Sequence, residues 1–383
     1  MIENYQVRDY QVRGVEANLE YFTGNNKFHA LAVYPTGAGK SHVIAQTADR
    51  LGEPLLILQP SREILAQNHS KFLATGNEAS IYSASFNSKV VSKVTFATIG
   101  SIVKKPELFK HFKYFIVDEA HAVNPKGGMY SDFFAQMEGR VLGLTATPYR
   151  LSTTSFGAML KFLTRTRPKL FSELIYWVQV KDLVDQGYLT PLTYYDIAGF
   201  DRDKIRLNST RADYDDRSLT SYMEEIKFIP RLEQVVGRLL DIRNNMVVFT
   251  KYTKEAYHLA KVFPDKVQVV SAKTSDAQRD ELIKGWQMGQ IHTLANVGVL
   301  DTGVDYQKLE TVVLASPTRS LSRYYQKSGR ASRINPDKKD AWLVDMCGNM
   351  QTFGKVEDLH LGKDKKGLWQ ITTNGRPLTN VNF

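Results

Sequence analysis

The sequence predicts an α/β fold, with mostly parallel sheets in two tandem domains, on three observations. Short apolar runs alternate with helix-like stretches along most of the chain. The run Ala30-Leu31-Ala32-Val33 leads directly into the glycine-rich stretch Tyr34-Pro35-Thr36-Gly37-Ala38-Gly39-Lys40-Ser41. The alternation resumes in the second half without a second loop of that kind. Strands covered on both faces by helices read as continuous apolar runs, as these do. A chain of 383 residues with 43% hydrophobic content is long enough to bury two cores. The boundaries expected are residues 1–165 for the first domain and 166–350 for the second, with a polar tail over 351–383.

The opening segment, Arg8-Asp9-Tyr10-Gln11, precedes Val12, Val15, Leu19 and Phe22 at helical spacing. The Gln11 amide can both donate and accept, so reading an adenine edge is chemically sensible, and a plain surface glutamine is the alternative. After the glycine-rich loop, Val43, Ile44, Thr47, Ala48 and Leu51 share a helical face, so the context is strand, loop, helix. Glycines at 37 and 39 let backbone N–H groups turn inward toward phosphate oxygens at a helix N-terminus. Thr36, Gly37, Ala38, Gly39, Lys40 and Ser41 therefore form a candidate phosphate cradle. Within it Lys40 would reach the outer phosphates and Ser41 would offer its hydroxyl to Mg²⁺. The general pattern begins with glycine, and Tyr34 stands there instead.

Leu55-Leu56-Ile57-Leu58-Gln59 reads as the next strand, with Pro60-Ser61-Arg62-Glu63 opening a helix. Ala79 to Ser83 and Val94 to Ala97 continue the series, the latter running into Thr98. Tyr114-Phe115-Ile116-Val117 ends in Asp118-Glu119-Ala120-His121. Two carboxylates at the carboxyl end of a parallel strand suit metal–nucleotide chemistry, with Asp118 on Mg²⁺ and Glu119 orienting and deprotonating water. An acidic strand end capping the next helix is the plainer alternative. Val141 to Thr145 is a further strand, and Thr145 and Thr147 either link the site to another surface or serve as strand-terminal hydrogen bonders.

Residues 151 to 225 are less regular: a helix over Val180 to Tyr188 and a charged, solvated excursion over 201–217 are expected. Beyond it, Met246 to Thr250, Val267 to Val270, Thr293 to Ala295, Val312 to Ala315 and Ala341 to Val344 read as buried strands. Ser275 and Gln278 make a capping box for a helix that Gly289 can end. Asn296 to Asp305 supplies flexible backbone with an acidic end. Gln326-Lys327-Ser328-Gly329-Arg330-Ala331-Ser332-Arg333 spaces two arginines three apart, which on a helix would put both guanidinium groups on one face, suited to phosphate. A basic face touching solvent is the alternative.

Cys347 is the single cysteine, which excludes an internal disulfide and a multi-cysteine zinc site. The formal charge of +10 favours a polyanionic partner. Neither a membrane-spanning run nor a signal peptide is legible, so a cytoplasmic protein of a bacterial or phage-infected cell is expected.

In their order along the chain, Gln11, Pro35 to Ser41, Pro60 to Glu63, Asp118 to His121, Thr145 to Pro148, Phe249-Thr250, Asn296 to Asp305 and Gln326 to Arg333 resemble the motif series of superfamily two helicases. That superfamily commonly lacks the first glycine of the loop. Thr145 to Arg150, Gly187 to Pro191 and Asp345 to Asn349 further resemble the RadD-type bacterial and phage DNA helicases. Those carry a C-terminal cysteine-rich metal module, which this sequence does not provide. The resemblance implies two RecA-like domains with ATP and Mg²⁺ in the cleft between them. It implies Gln11 on adenine, Asp305 on the ribose, Arg330 and Arg333 on the γ-phosphate, and Gln326 and His121 in the connecting network. Ser61, Arg62, Thr98, Thr250 and Asn296 would contact the backbone of nucleic acid, DNA before RNA. The activity implied is ATP-driven movement of a monomer on DNA, in repair, recombination or replication, with partner proteins of those pathways. An RNA helicase and an ATP-gated clamp are the alternatives.

Overall fold

The computed structural model describes residues 7–154, 157–300, 306–338 and 340–381. The described residues divide into two compact units. One runs up to Arg150 and adds Lys161–Gln179 and Lys363–Gln370. The other comprises Leu151–Leu160, Val180–Gly362 and the chain from Ile371.

In the first unit, helix α1 (Asp9–Thr23) precedes β1 (His29–Val33), α2 (Lys40–Leu51), β2 (Leu55–Gln59), α3 (Arg62–Leu73), β3 (Ser80–Ser83) and β4 (Ser88–Lys89). It continues through β5 (Val94–Thr98), α4 (Ile99–Ile102), β6 (Tyr114–Asp118), α5 (Met129–Phe134) and β7 (Arg140–Thr145). Strands β8 (Tyr149–Thr154) and β9 (Gly157–Phe162) make a two-stranded sheet, and β10 (Phe171–Trp177) rejoins the main one. The main sheet has the order β10-β1-β7-β6-β2-β5-β3-β4, with every pair parallel except β3 and β4. Leu55 to Leu58 and Phe115 to Val117 are fully buried, as expected of strands covered on both faces.

Helix α6 (Val180–Asp185) opens the chain's return to the second unit, followed by β11 (Leu192–Asp196), α7 (Asp216–Glu225), α8 (Phe228–Leu240), β12 (Met246–Thr250) and α9 (Thr253–Val262). Then come β13 (Val267–Ser271), α10 (Asp276–Gln287), β14 (Thr293–Val297), β15 (Thr311–Ala315), α11 (Leu321–Ser328), β16 (Ala341–Asp345) and α12 (Asn349–Phe353). These strands form a parallel sheet ordered β11-β16-β15-β12-β14-β13. Its core joins Leu232 and Val236 of α8 to Met246, Val248, Ala295 and Val313. Each such side chain, fully buried, contributes about 1.5–3 kcal/mol of transfer free energy. The capping box of α10 is present, with Ser275 Oγ accepting from Gln278 N at 3.4 Å.

One expectation is corrected and two are refined. The boundary drawn at residue 165 falls instead near 179, because Phe171–Trp177 pairs in parallel with β1. Its intermediate burial and scattered polar residues hid an edge strand. The polar tail is ordered structure: Leu359–Lys363, Trp369–Thr373 and Arg376–Pro377 (β17 to β19) form a three-stranded sheet. The charged stretch 201–217 exposes most of its charges but is anchored. Ile205 and Tyr214 join the core, and the Arg202 guanidinium donates to Tyr214 Oη, Gly348 O, Thr352 Oγ1 and Thr318 O.

Candidate active site

Register puts the candidate residues of the first unit at one edge of the sheet. Asp118, the last residue of β6, is level with Leu144 on β7, which is level with Ala32 on β1. The glycine-rich loop leaving β1 is thus two strand spacings, about 10 Å, from the carboxylate. This is the carboxyl edge of parallel strands, where open α/β sheets bind ligands.

Gly37 and Gly39 have φ of 85° and 76°, the left-handed conformation the curled loop requires. Gly39 caps α2, and Lys40 and Ser41 form its first turn. Tyr34 takes the place of the missing glycine by turning into the core. Its ring is completely buried and tilted on Tyr176 at a centroid distance of 5.5 Å. Gly14 of α1 makes the room, since a Cβ there would lie 2.2 Å from Tyr34 Oη. Tyr10 Oη and Gln11 Nε2 donate to Ala38 O at 2.8 and 2.9 Å, so α1 fastens the loop from behind.

Lys40 Nζ spans the gap to Asp118 Oδ1 at 2.7 Å and is also paired with Glu119. Burial would depress the Lys40 ammonium, but the carboxylates of Asp118 and Glu119 hold it above the ordinary lysine value. Glu119 is opposed by burial yet held down at about 2 by Lys40, with His121 adding to the effect. Asp118 moves upward, because it is the more deeply buried of the two and shares the space with Glu119. Asn68 Nδ2 donates to Asp118 Oδ2 at 3.0 Å, and Glu119 N donates to Asp118 Oδ1 at 2.9 Å. Glu119 sits at φ 51°, ψ 49°, an unfavourable conformation for a non-glycine residue that costs about 1–3 kcal/mol. His121 Nδ1 lies 3.1 Å from Glu119 Oε2 and 3.0 Å from Thr145 Oγ1, and Thr147 N also donates to Thr145 Oγ1 at 3.0 Å. These contacts make Thr145, the last residue of β7, a strand-terminal hydrogen bonder beside His121.

Other expected residues are placed differently. Gln11 is 1% exposed, with Nε2 on Ala38 O and Oε1 accepting from Arg8 N at 3.1 Å. In this arrangement its amide holds the loop and the start of α1 together. Ser61 caps α3, Arg62 is exposed with its guanidinium 5.4 Å from the Phe86 ring centroid, and Thr98 Oγ1 meets Ser83 and Ser101 hydroxyls at 3.2 and 2.9 Å. These three gather on the β3 and β5 ends of the sheet.

In the second unit Asn296 is fully buried, its Oδ1 accepting from Leu300 N at 2.8 Å and Val299 N at 3.2 Å. Thr250 is 4% exposed, its hydroxyl within 3.4 Å of Asn296 O. Both shape the strand ends from inside, and neither side chain is displayed on the surface. Gln326 is half-buried on α11, but that helix ends at Ser328. Arg330 and Arg333 lie in the turn beyond it, correcting the helical-face expectation. They nonetheless line one small pocket together, beside Phe249, Trp286, Tyr306 and Leu309. Asp305 lies outside the described residues. No cluster of three or more His, Cys, Asp or Glu able to hold a metal occurs among the described residues, and Cys347 is buried.

Sequence reasoning passed over Asn68, Gly14 and Tyr176. Asn68 had a signal: it falls between Leu65 and Phe72 on the buried face of α3, where a polar residue needs a partner.

Two family models match the chain: the type III restriction enzyme res subunit over residues 4–150, and the helicase conserved C-terminal domain over residues 229–335. The chain belongs to the superfamily two helicases. Members are nucleic-acid-dependent ATPases, and the two matched regions fall in the two units described above. This helicase is 26% identical over 352 residues to a 51.5 kDa protein of a Lactococcus phage, covering 88% of its own chain and 70% of that protein. It is 23% identical over 390 residues to the DNA 3'-5' translocase XPB2 of Sulfurisphaera tokodaii, covering 90% and 82%. Among solved structures, the Type ISP restriction-modification enzyme LlaBIII bound to DNA superposes with a TM-score of 0.65 at 18% identity, over 89% of this helicase and 27% of that chain. Dbp5 of S. cerevisiae bound to RNA superposes with a TM-score of 0.62 at 16% identity, over 90% and 84%.

Proposed function

We propose that this helicase is a DNA translocase that couples ATP hydrolysis to movement along DNA. The observation that carries the reading is the knot of Lys40, Asp118 and Glu119 at the carboxyl ends of β1 and β6. A lysine and two carboxylates gathered at the head of a helix suit a site that takes up a charged phosphate chain with its cation. The donor set fits Mg²⁺ and a nucleoside triphosphate, the group that supplies the hydrolysable phosphoanhydride. Lys40 would bind phosphate oxygen, Ser41 and Asp118 would hold the cation, and Glu119 would take the proton of the attacking water. His121 and Thr145 hold the carboxylate from the side away from Lys40. Arg330 and Arg333 serve the γ-phosphate, and Gln326 and Asp305 complete the nucleotide contacts. DNA is favoured over RNA by the likeness to the DNA 3'-5' translocase XPB2 of Sulfurisphaera tokodaii. Ser61, Arg62 and Thr98 are the residues proposed to meet its backbone, with Thr250 and Asn296 shaping the strand ends behind the contact.

ATPase assays with length-matched single-stranded DNA, duplex DNA and RNA test this. DNA should stimulate turnover most. Stronger stimulation by RNA would move the protein to the RNA helicases.

A further inference from the structure

The turn that carries Arg330 and Arg333 is held by Lys338 and Thr190, to which no role has been given above. It lies beyond α11, and its own backbone bonds are long: Arg330 N to Lys327 O at 3.3 Å and Ala331 N to Ser328 O at 3.4 Å. Within the turn Ser332 Oγ donates to Gly329 O at 2.8 Å, and the weak backbone bonds leave much of its orientation to contacts from outside. Lys338, only 9% exposed, donates through Nζ to Ala331 O at 2.7 Å, to Leu309 O at 3.4 Å and to Arg333 O. Thr190 adds its N–H to Ser332 O at 2.7 Å and its hydroxyl to Arg333 O at 3.2 Å. The three successive carbonyls of residues 331 to 333 are therefore all bound from outside the turn.

Burying an ammonium is costly, and a methionine of similar length would fill the space without that cost. Burial first, and then the neighbouring charge of Arg333, pushes Lys338 down to about 8. What the ammonium supplies in return is three donors converging on backbone oxygens, two of them on the arginine turn. We propose that Lys338 and Thr190 are positioning residues that set the Arg330–Arg333 turn for its work on the γ-phosphate, acting on turnover without touching nucleotide. This rests on the role given to the arginines above.

The test is steady-state ATPase of the full chain with saturating DNA, for Lys338→Met, Thr190→Val, Thr190→Ser, Arg333→Ala and the Lys338→Met/Arg333→Ala double variant. Displacement of a catalytic group by about 1 Å can cost about 10²-fold, so Lys338→Met should lower kcat on that order while KM for ATP stays within about twofold. Thr190→Val should lose less, and Thr190→Ser, which keeps the hydroxyl, should restore it. In the Arg333→Ala background, Lys338→Met should cost less than in wild type, because the part of its effect that acts through Arg333 is already lost. Wild-type kcat in Lys338→Met, or full additivity in the double variant, overturns the proposal. If Lys338→Met does not fold, the Thr190→Val and Thr190→Ser pair decides, and equal kcat in both overturns it. Wild-type turnover in Arg333→Ala and Arg330→Ala would instead remove the arginine role itself, and the positioning proposal with it.

Discussion

Lys40 Nζ lies 2.7 Å from Asp118 Oδ1, closing the two-strand gap between the glycine-rich loop and the acidic end of β6. Removing one end of this arrangement differs from removing the other. Lys40→Ala deletes the phosphate contact and should weaken ATP binding along with turnover. Glu119→Gln should keep nucleotide binding and lose about 10²–10⁴ in rate, the usual contribution of a positioned general base. Nucleotide-binding titrations beside turnover measurements separate the two, and equal turnover in wild type and Glu119→Gln would sink the assignment.

Gly14→Ala should destabilise the protein, although alanine is the better helix former by about 1 kcal/mol. The new Cβ would stand 2.2 Å from Tyr34 Oη and 3.0 Å from the Tyr176 ring. Overpacking of this kind costs about 1–3 kcal/mol. Tyr34→Phe removes the nearest atom, so the double variant should recover part of the loss in urea unfolding. No recovery would mean that the crowding lies elsewhere.

Glu255 supplies a pH test. Its Oε2 accepts from Lys251 N and Tyr252 N at the head of α9, and burial raises its pKa to about 7. The folded value is above the unfolded one, so the stability from the protonated carboxyl is full below about 4.5 and is lost as pH rises through about 7. Glu255→Gln keeps an acceptor and never ionises. The variant's thermal midpoint relative to wild type should therefore climb between pH 5 and pH 8, by about 2–4 °C for each kcal/mol. A constant difference across that range would contradict the burial argument.

DNA affinity should fall steeply with salt and depend little on sequence, because phosphate contacts dominate such binding. Arg62→Ala should weaken binding evenly across sequences and reduce the salt slope by about 1. An unchanged slope would place Arg62 off the track.

The sheets and the glycine-rich loop were legible because fully buried parallel strands such as Leu55–Gln59 write themselves as unbroken apolar runs. Asp118 and Glu119 were legible because they directly follow one. The edge strand Phe171–Trp177, half-buried and polar in places, gave no such run. Arg202 looked like one more surface charge, since nothing local announces that Gly348, Thr352 and Thr318 carry its acceptors. Lys338 was hidden for the same reason. The arginine pair was read on the wrong local geometry: the helix stops at Ser328, and the turn after it brings Arg330 and Arg333 to one pocket.

The central claim, that hydrolysis drives movement on DNA, is tested most directly by displacement of a blocking protein from DNA in the presence of ATP. Wild type should clear the block at a rate that follows its ATPase activity. DNA-stimulated hydrolysis that leaves the block in place would contradict the account and make the protein an ATP-gated clamp.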